Sequence, residues 1–170
     1  MTPGRRLEEP NRTVPDSAAE VVGMLRSAGE TLAVAESCTG GWLGREITSI
    51  PGASTAFWGG VIAYDNAAKL SLLSVSPVTL DTHGAVSQGT AAEMAAGVAG
   101  LSDATWAVAI TGLAGPAGGT RDKPVGTVCV AVAGPVQLCR TYQLPGGRED
   151  VRRQAVGRAL GLLQEALESR

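Results

Sequence analysis

Along the chain the apolar positions switch between helical and strand spacing, and the switches divide it into elements. Ser17-Ala18-Ala19-Glu20 has capping-box spacing, and Val21, Val22, Met24 and Leu25 form a helical stripe that stops near Gly29. Thr31 to Ala35 reads as a short buried strand and runs into the polar cluster Glu36-Ser37-Cys38-Thr39-Gly40-Gly41, after which Trp42 to Ile47 is helical. Pro51-Gly52 marks a turn, Phe57 to Tyr64 a strand, and Asn66 caps a short helix carrying Lys69, Leu70, Leu72 and Leu73 until Pro77 breaks the pattern. Ser87 caps a longer helix reaching about Gly100, and Trp106 to Thr111 is the next strand. The loop Gly112 to Gly119 follows, then two strands, Val125 to Ala133 and Val136 to Leu144, joined as a hairpin by Gly134-Pro135. From Gly147 to Arg170 a last helix puts Val151, Ala155, Ala159, Leu162, Leu163 and Ala166 on one face. This order predicts an α/β domain over residues 16–170, with a mixed sheet of five or six strands covered by helices on both faces and a disordered tail over residues 1–15.

Composition narrows the function more than the fold. The 170 residues suit one core, and with only six aromatic side chains Ala, Val and Leu must fill it. A net charge of -2 and a pI near 5.4 argue against nucleic acid or an anionic membrane surface as partner. With neither a secretory run near the start nor an 18-residue apolar stretch, the expected location is cytoplasmic. Asn11-Arg12-Thr13 matches a glycosylation sequon by chance on that view. Three cysteines and one histidine make a poor zinc site, so no metal is expected; Cys129 and Cys139 read as small buried hydrophobes.

Lysine usage is the most telling count. Of 14 basic side chains only Lys69 and Lys123 are lysines. Arginine stays charged at physiological pH, whereas a desolvated lysine can lose its proton and act as a base, which makes Lys69 a candidate. Ser37, at a strand-to-helix junction, is the hydroxyl it would activate, with backbone N–H groups around Thr39, Gly40 and Gly41 as an oxyanion hole; the competing view is that Ser37 or Thr39 merely caps the helix. Tyr64, five residues before Lys69, either relays a proton or packs as a strand-end ring. His83 has no serine elbow to serve, and Cys38 is a rival nucleophile if the helix N-terminus lowers its pKa. The loop from Thr111 to Gly119 offers backbone N–H groups to a phosphate without being a P-loop. Arg148 either binds an anion at the start of the last helix or is a solvated member of a charged run.

Ala33-Val34-Ala35-Glu36-Ser37-Cys38-Thr39-Gly40-Gly41, Pro51-Gly52-Ala53-Ser54, Gly59 to Lys69, Gly84-Ala85-Val86-Ser87, Thr111 to Pro116 and Lys123 to Val128 together resemble the CinA C-terminal domain family. The resemblance runs from Ala18 to the C-terminus. It implies a three-layer α/β/α sandwich and a cofactor-free amidohydrolase acting on a small nucleotide, nicotinamide mononucleotide, to give nicotinate mononucleotide and ammonia. It makes Ser37 the nucleophile, Lys69 its base and Tyr64 an assisting hydroxyl, and it places Ser54, Thr111, Gly112 and Arg148 around the substrate, with Arg152 or Arg153 as substitutes for Arg148. It also implies a homo-oligomer. Asp65 departs from the small residue usual after the family's tyrosine and sets a carboxylate near Lys69 that would raise its pKa. The large N-terminal domain of longer CinA proteins is not in the chain, which is therefore similar to the stand-alone deamidase form. A non-catalytic nucleotide-binding module, or an amidase for another pyridine nucleotide, is the alternative.

Overall fold

In a computed structural model that describes residues 13–170, six α-helices and five strands follow one another as α1 (Val14–Ala28), β1 (Leu32–Glu36), α2 (Trp42–Thr48), β2 (Phe57–Ile62), α3 (Asn66–Leu73), α4 (Pro77–His83), α5 (Gln88–Ser102), β3 (Trp106–Gly112), β4 (Thr127–Ala133), β5 (Leu138–Gln143) and α6 (Arg148–Glu168), with a 3-10 turn at Ala53–Thr55. The sheet order is β2-β1-β3-β4-β5. β1 runs parallel to β2 and β3, and the β3-β4 and β4-β5 pairs are antiparallel. This is the mixed sheet the alternating pattern predicts. No helix among the described residues is long and apolar enough to cross a membrane.

Side-chain size alternates along the central strands, and this decides how the layers stack. Leu32 and Val34 of β1, Trp106, Val108 and Ile110 of β3, and Val128, Val130 and Val132 of β4 face one core, shared with α1, α2 and α6. Ala33, Ala35, Ala107, Ala109, Cys129 and Ala131, at the intervening positions, face a second core under α5. A sheet face built from small residues lets a helix built from Ala, Gly and Met lie close to it. The closeness is extreme where α5 meets α3: a Cβ on Gly97 would stand 2.0 Å from the Leu73 carbonyl oxygen.

Several boundaries differ from the sequence expectation for local reasons. α1 begins at Val14, earlier than Ser17, because Thr13 and Asp16 form the capping box and Pro15 fits the first turn, where its missing N–H costs nothing. Residues 1–12 of the expected tail, including Asn11 and Arg12 of the sequon, lie outside the described residues. Asp65 and not Asn66 caps α3, its Oδ1 accepting from the Ala67 N–H at 2.7 Å. Pro77 ends nothing more than the turn before it: it opens α4 behind a Ser76 cap.

Gly97→Ala is expected to force α3 away from α5 and to lower stability by about 1–3 kcal/mol, the usual range for overpacking. Urea denaturation measures it, and an unchanged midpoint would show that α3 does not depend on this approach.

Candidate active site

The three parallel strands β2, β1 and β3 end on the same side, and their ends build a cleft, as open α/β sheets commonly do. β1 continues one residue past Glu36 through the Ser37 N–H, which donates to the Ile110 carbonyl of β3 at 3.0 Å. The chain then has to reverse into α2, and Gly40 and Gly41, both at positive φ (59° and 100°), let it do so. The Glu36 carboxylate, 1% exposed, closes the turn from below. Oε2 accepts from the Gly41 and Leu43 N–H groups at 3.1 Å each, and Oε1 from Gly44 at 2.9 Å.

Two expectations are corrected here. Neither Ser37 nor Thr39 caps α2; its N-cap is Gly41, and Glu36 does the capping from the preceding strand. Nor do the Gly40 and Gly41 N–H groups of this turn point outward, since Gly40 donates to the Ser37 carbonyl and Gly41 to Glu36, with Trp42 donating to the Thr39 carbonyl; the Thr39 N–H has no acceptor among the described residues. Thr39 is fully buried, and its hydroxyl has no partner among the described residues. From α6, Arg152 holds the same turn: Nε and Nη2 donate to the Cys38 and Thr39 carbonyls at 3.1 Å each, and the guanidinium lies 5.3 Å from the centre of the Trp42 ring. Arg152 is thereby committed to the scaffold, and Arg153 is paired with Asp150 at 2.7 Å, so neither substitutes for Arg148.

Lys69 comes to Ser37 from the other side. It sits on α3, immediately after the end of β2, and is 1% exposed. Its Nζ lies 3.1 Å from Ser37 Oγ, 2.9 Å from the Ala63 carbonyl oxygen and 3.0 Å from the Tyr64 carbonyl oxygen. Burial pushes its pKa below that of an ordinary lysine, against the opposing pull of Asp65 and, more weakly, Cys38. Desolvation therefore outweighs the Asp65 carboxylate. A depressed amine pKa means that the folded chain binds fewer protons than the unfolded one between the two values. The unfavourable contribution of Lys69 to stability is thus full below the folded pKa and fades as pH rises toward the unfolded one. Cys38 is a poor rival to Ser37: burial raises its pKa to about 11, and the N-terminus of α2 does not rescue it.

Ser37, Tyr64, Lys69, Thr111, Gly112 and Arg148 all line one cavity of about 270 Å³, near the lower end of the range for small-molecule sites. Thr111, at the end of β3, donates through Oγ1 to the Ala85 carbonyl at 2.7 Å and so ties the strand to the segment before α5. Arg148 donates to the Gly115 carbonyl at 2.7 Å and to the Tyr64 hydroxyl at 3.0 Å. Both acceptors are neutral, and Arg148 has no ion pair among the described residues. The Tyr64 phenol thus meets Arg148, while only the Tyr64 carbonyl meets Lys69. Ser54 is the clear misplacement: it is exposed in the 3-10 turn ahead of β2, at the opposite end of the strand from the cavity. His83 is exposed at the end of α4, outside the cavity, where its carbonyl accepts from Lys123. No group of three or more His, Cys, Asp or Glu among the described residues is placed to hold a metal.

Sequence reasoning missed Glu36 and the scaffold role of Arg152. A charged residue closing an otherwise apolar strand was the signal for Glu36; nothing local marked Arg152, whose partners are more than 100 positions away.

Residues 15–167 match the family model described as the CinA C-terminal domain. A CinA-like protein of Synechococcus is 54% identical over 156 residues, covering 89% of this chain and 37% of the relative. One from Trichormus variabilis is 51% identical, over 91% of this chain and 38% of its own length. The chain thus spans well under half the length of these relatives. Among solved structures, the competence/damage inducible protein CihA of Agrobacterium tumefaciens superposes with a TM-score of 0.85 at 37% identity, over 91% of this chain and 95% of that one. A CinA superfamily protein of Klebsiella pneumoniae gives 0.90 at 33% identity, over 94% and 100%.

Removing the Glu36 acceptors tests the turn directly. Glu36→Ala orphans three N–H groups and is expected to cost about 3 kcal/mol or more, with Glu36→Gln losing less. Chemical denaturation of both variants measures this; a loss below about 1 kcal/mol for Glu36→Ala would mean that the carboxylate is not what holds the turn.

Proposed function

The chain belongs to the CinA C-terminal domain family, and on that premise we propose that it is an amidohydrolase that converts nicotinamide mononucleotide to nicotinate mononucleotide and ammonia. One observation carries the proposal. The Lys69 nitrogen is desolvated beside a serine hydroxyl, with two backbone carbonyls as its only other partners among the described residues. A neutral amine has two N–H groups and one lone pair. Donating the two protons to Ala63 and Tyr64 aims the lone pair at Ser37 Oγ, which is the geometry a general base requires.

In the proposed reaction Ser37 Oγ attacks the carboxamide carbon while its proton passes to Lys69 Nζ. The tetrahedral intermediate collapses as the C–N bond breaks, and the departing nitrogen takes the proton from Lys69 and leaves as ammonia. Water then attacks the acyl ester with Lys69 again as base, releasing the acid and restoring the serine. Arg148, held between Gly115 and Tyr64 with no carboxylate partner among the described residues, is the cation proposed for the nucleotide phosphate; Tyr64 is proposed to orient Arg148 and not to relay a proton. No cofactor enters.

The supporting test is ammonia release from nicotinamide mononucleotide. Wild type should turn over, with Ser37→Ala and Lys69→Met losing at least about a thousandfold in kcat. The rate should fall at low pH as Lys69 gains its proton, and Asp65→Ser, which keeps a cap but removes the charge that raises the Lys69 pKa, should move that acid limb to lower pH. Full activity in either dyad variant removes the mechanism, and tight binding without ammonia identifies a non-catalytic nucleotide module instead.

We also propose that the chain is a homo-oligomer. Among the described residues, six of the seven large exposed apolar side chains, Trp58, Ile62, Tyr64, Leu70, Leu72 and Val78, fall in the segment from β2 through α4, and β2 is an edge strand of the sheet. Analytical ultracentrifugation should find a dimer or larger species that Ile62→Glu dissociates. A wild-type chain that stays monomeric at high concentration contradicts this.

A further inference from the structure

Acyl transfer needs a hydrogen-bond donor for the oxygen on which charge develops, and the turn after Ser37 does not supply it through Gly40 or Gly41. Both N–H groups are spent, one on the Ser37 carbonyl and one on Glu36. The Leu43 and Gly44 N–H groups also go to Glu36, so the α2 N-terminus is largely neutralised by a carboxylate of the chain itself. The donor has to come from the Cys38 or Thr39 N–H groups, which have no acceptor among the described residues, or from elsewhere around the cavity.

Three nitrogen-bearing side chains line that cavity: Lys69, Arg148 and Asn66. The first two give protons to protein oxygens. Asn66 does not: its amide has no hydrogen bond with any described residue. Asn66 is exposed to solvent, and its position leaves it without a capping role. Asn66 is the first residue of α3, and the capping task that its type ordinarily performs is done by Asp65 next to it. Three residues further on is Lys69, and side chains three apart lie on the same face of a helix, so α3 presents an uncommitted amide and the base to one cavity.

Resting on the amidohydrolase proposal above, we infer that the Asn66 side-chain amide is the oxyanion donor of this site. As Ser37 Oγ bonds to the carboxamide carbon and the proton moves to Lys69, the carbonyl π pair shifts onto oxygen, and Asn66 Nδ2–H donates to that oxygen. When the C–N bond breaks, the pair returns to re-form the carbonyl of the acyl-enzyme. Because the charge exists chiefly in the transition state, the bond contributes to kcat far more than to KM.

Removing one such donor typically costs a hundredfold to a thousandfold in rate. Asn66→Ala is therefore expected to lower kcat for nicotinamide mononucleotide by about a hundredfold or more, with KM and thermal midpoint nearly unchanged. Asn66→Ser, which restores a shorter donor, should recover part of the loss. Labelling of Ser37 by a fluorophosphonate, in which Ser37 Oγ displaces fluoride, its proton passes to Lys69 and the polarised phosphoryl oxygen takes the same place, should slow in parallel. This second readout separates the two proposals. If wild type labels or turns over and Asn66→Ala matches it in both assays, the Asn66 assignment is overturned while the dyad stands. If wild type neither labels nor releases ammonia, the dyad falls, and the donor assigned to it falls with it.

Discussion

A lysine nitrogen withdrawn from water is tolerable to a folded chain only if each of its polar directions is met, and Lys69 meets that condition with three oxygens from two different strand ends. The other features of the site follow from keeping those oxygens in place. The Ala63 and Tyr64 carbonyls are fixed because the Ala63 N–H donates to the Glu36 carbonyl at 2.8 Å, continuing the β1-β2 pairing past the end of β2. Ser37 is fixed on its other side by Ile110 of β3. Lys69 itself is fixed by α3, whose end is sealed by the Val75 N–H on the Lys69 carbonyl at 3.1 Å and by the glycine-thin contact with α5.

Charge is arranged with the same economy. Glu36 is buried next to Ser37, yet its oxygens are occupied by backbone N–H groups. Arg152 secures the adjacent carbonyls and stacks on Trp42. That leaves Arg148 and Asn66 as polar groups in the cavity whose strongest partners are absent from the protein, the first lacking a carboxylate and the second lacking any partner among the described residues. A desolvated amine beside a hydroxyl, an arginine without a carboxylate partner and an unengaged amide are the groups on which the amidohydrolase proposal rests.

Much of the fold was legible because it follows from periodicity: strands and helices alternate in the sequence as they do in the molecule, and Gly134-Pro135 does join a hairpin. The closeness of Ser37 and Lys69 was legible through the scarcity of lysine and the family resemblance, and the two side chains lie 3.1 Å apart. What the sequence hid was competition between neighbours for the same task. Asp65 and Asn66 are both good caps, as are Ser17 and Thr13, and only the backbone decides which is used. The role of the Gly40-Gly41 N–H groups was misjudged for a similar reason: a buried carboxylate five residues earlier claims Gly41, and one-dimensional spacing does not show which way a strand-end side chain turns. Ser54 stands apart from the cavity because a turn at one end of a parallel strand lies a full strand length from a site at the other.

Because the sequence holds only two lysines, the protonation of the central amine is directly observable. Side-chain ¹⁵N-lysine NMR over a pH series gives one signal for Lys69 and one for Lys123, assigned with Lys123→Arg. A desolvated Lys69 requires that its signal change from ammonium to amine at a distinctly lower pH than that of Lys123, and that Ser37→Ala perturb it. Two signals titrating together in the ordinary lysine range would contradict this, since a fully charged Lys69 cannot take the proton from Ser37.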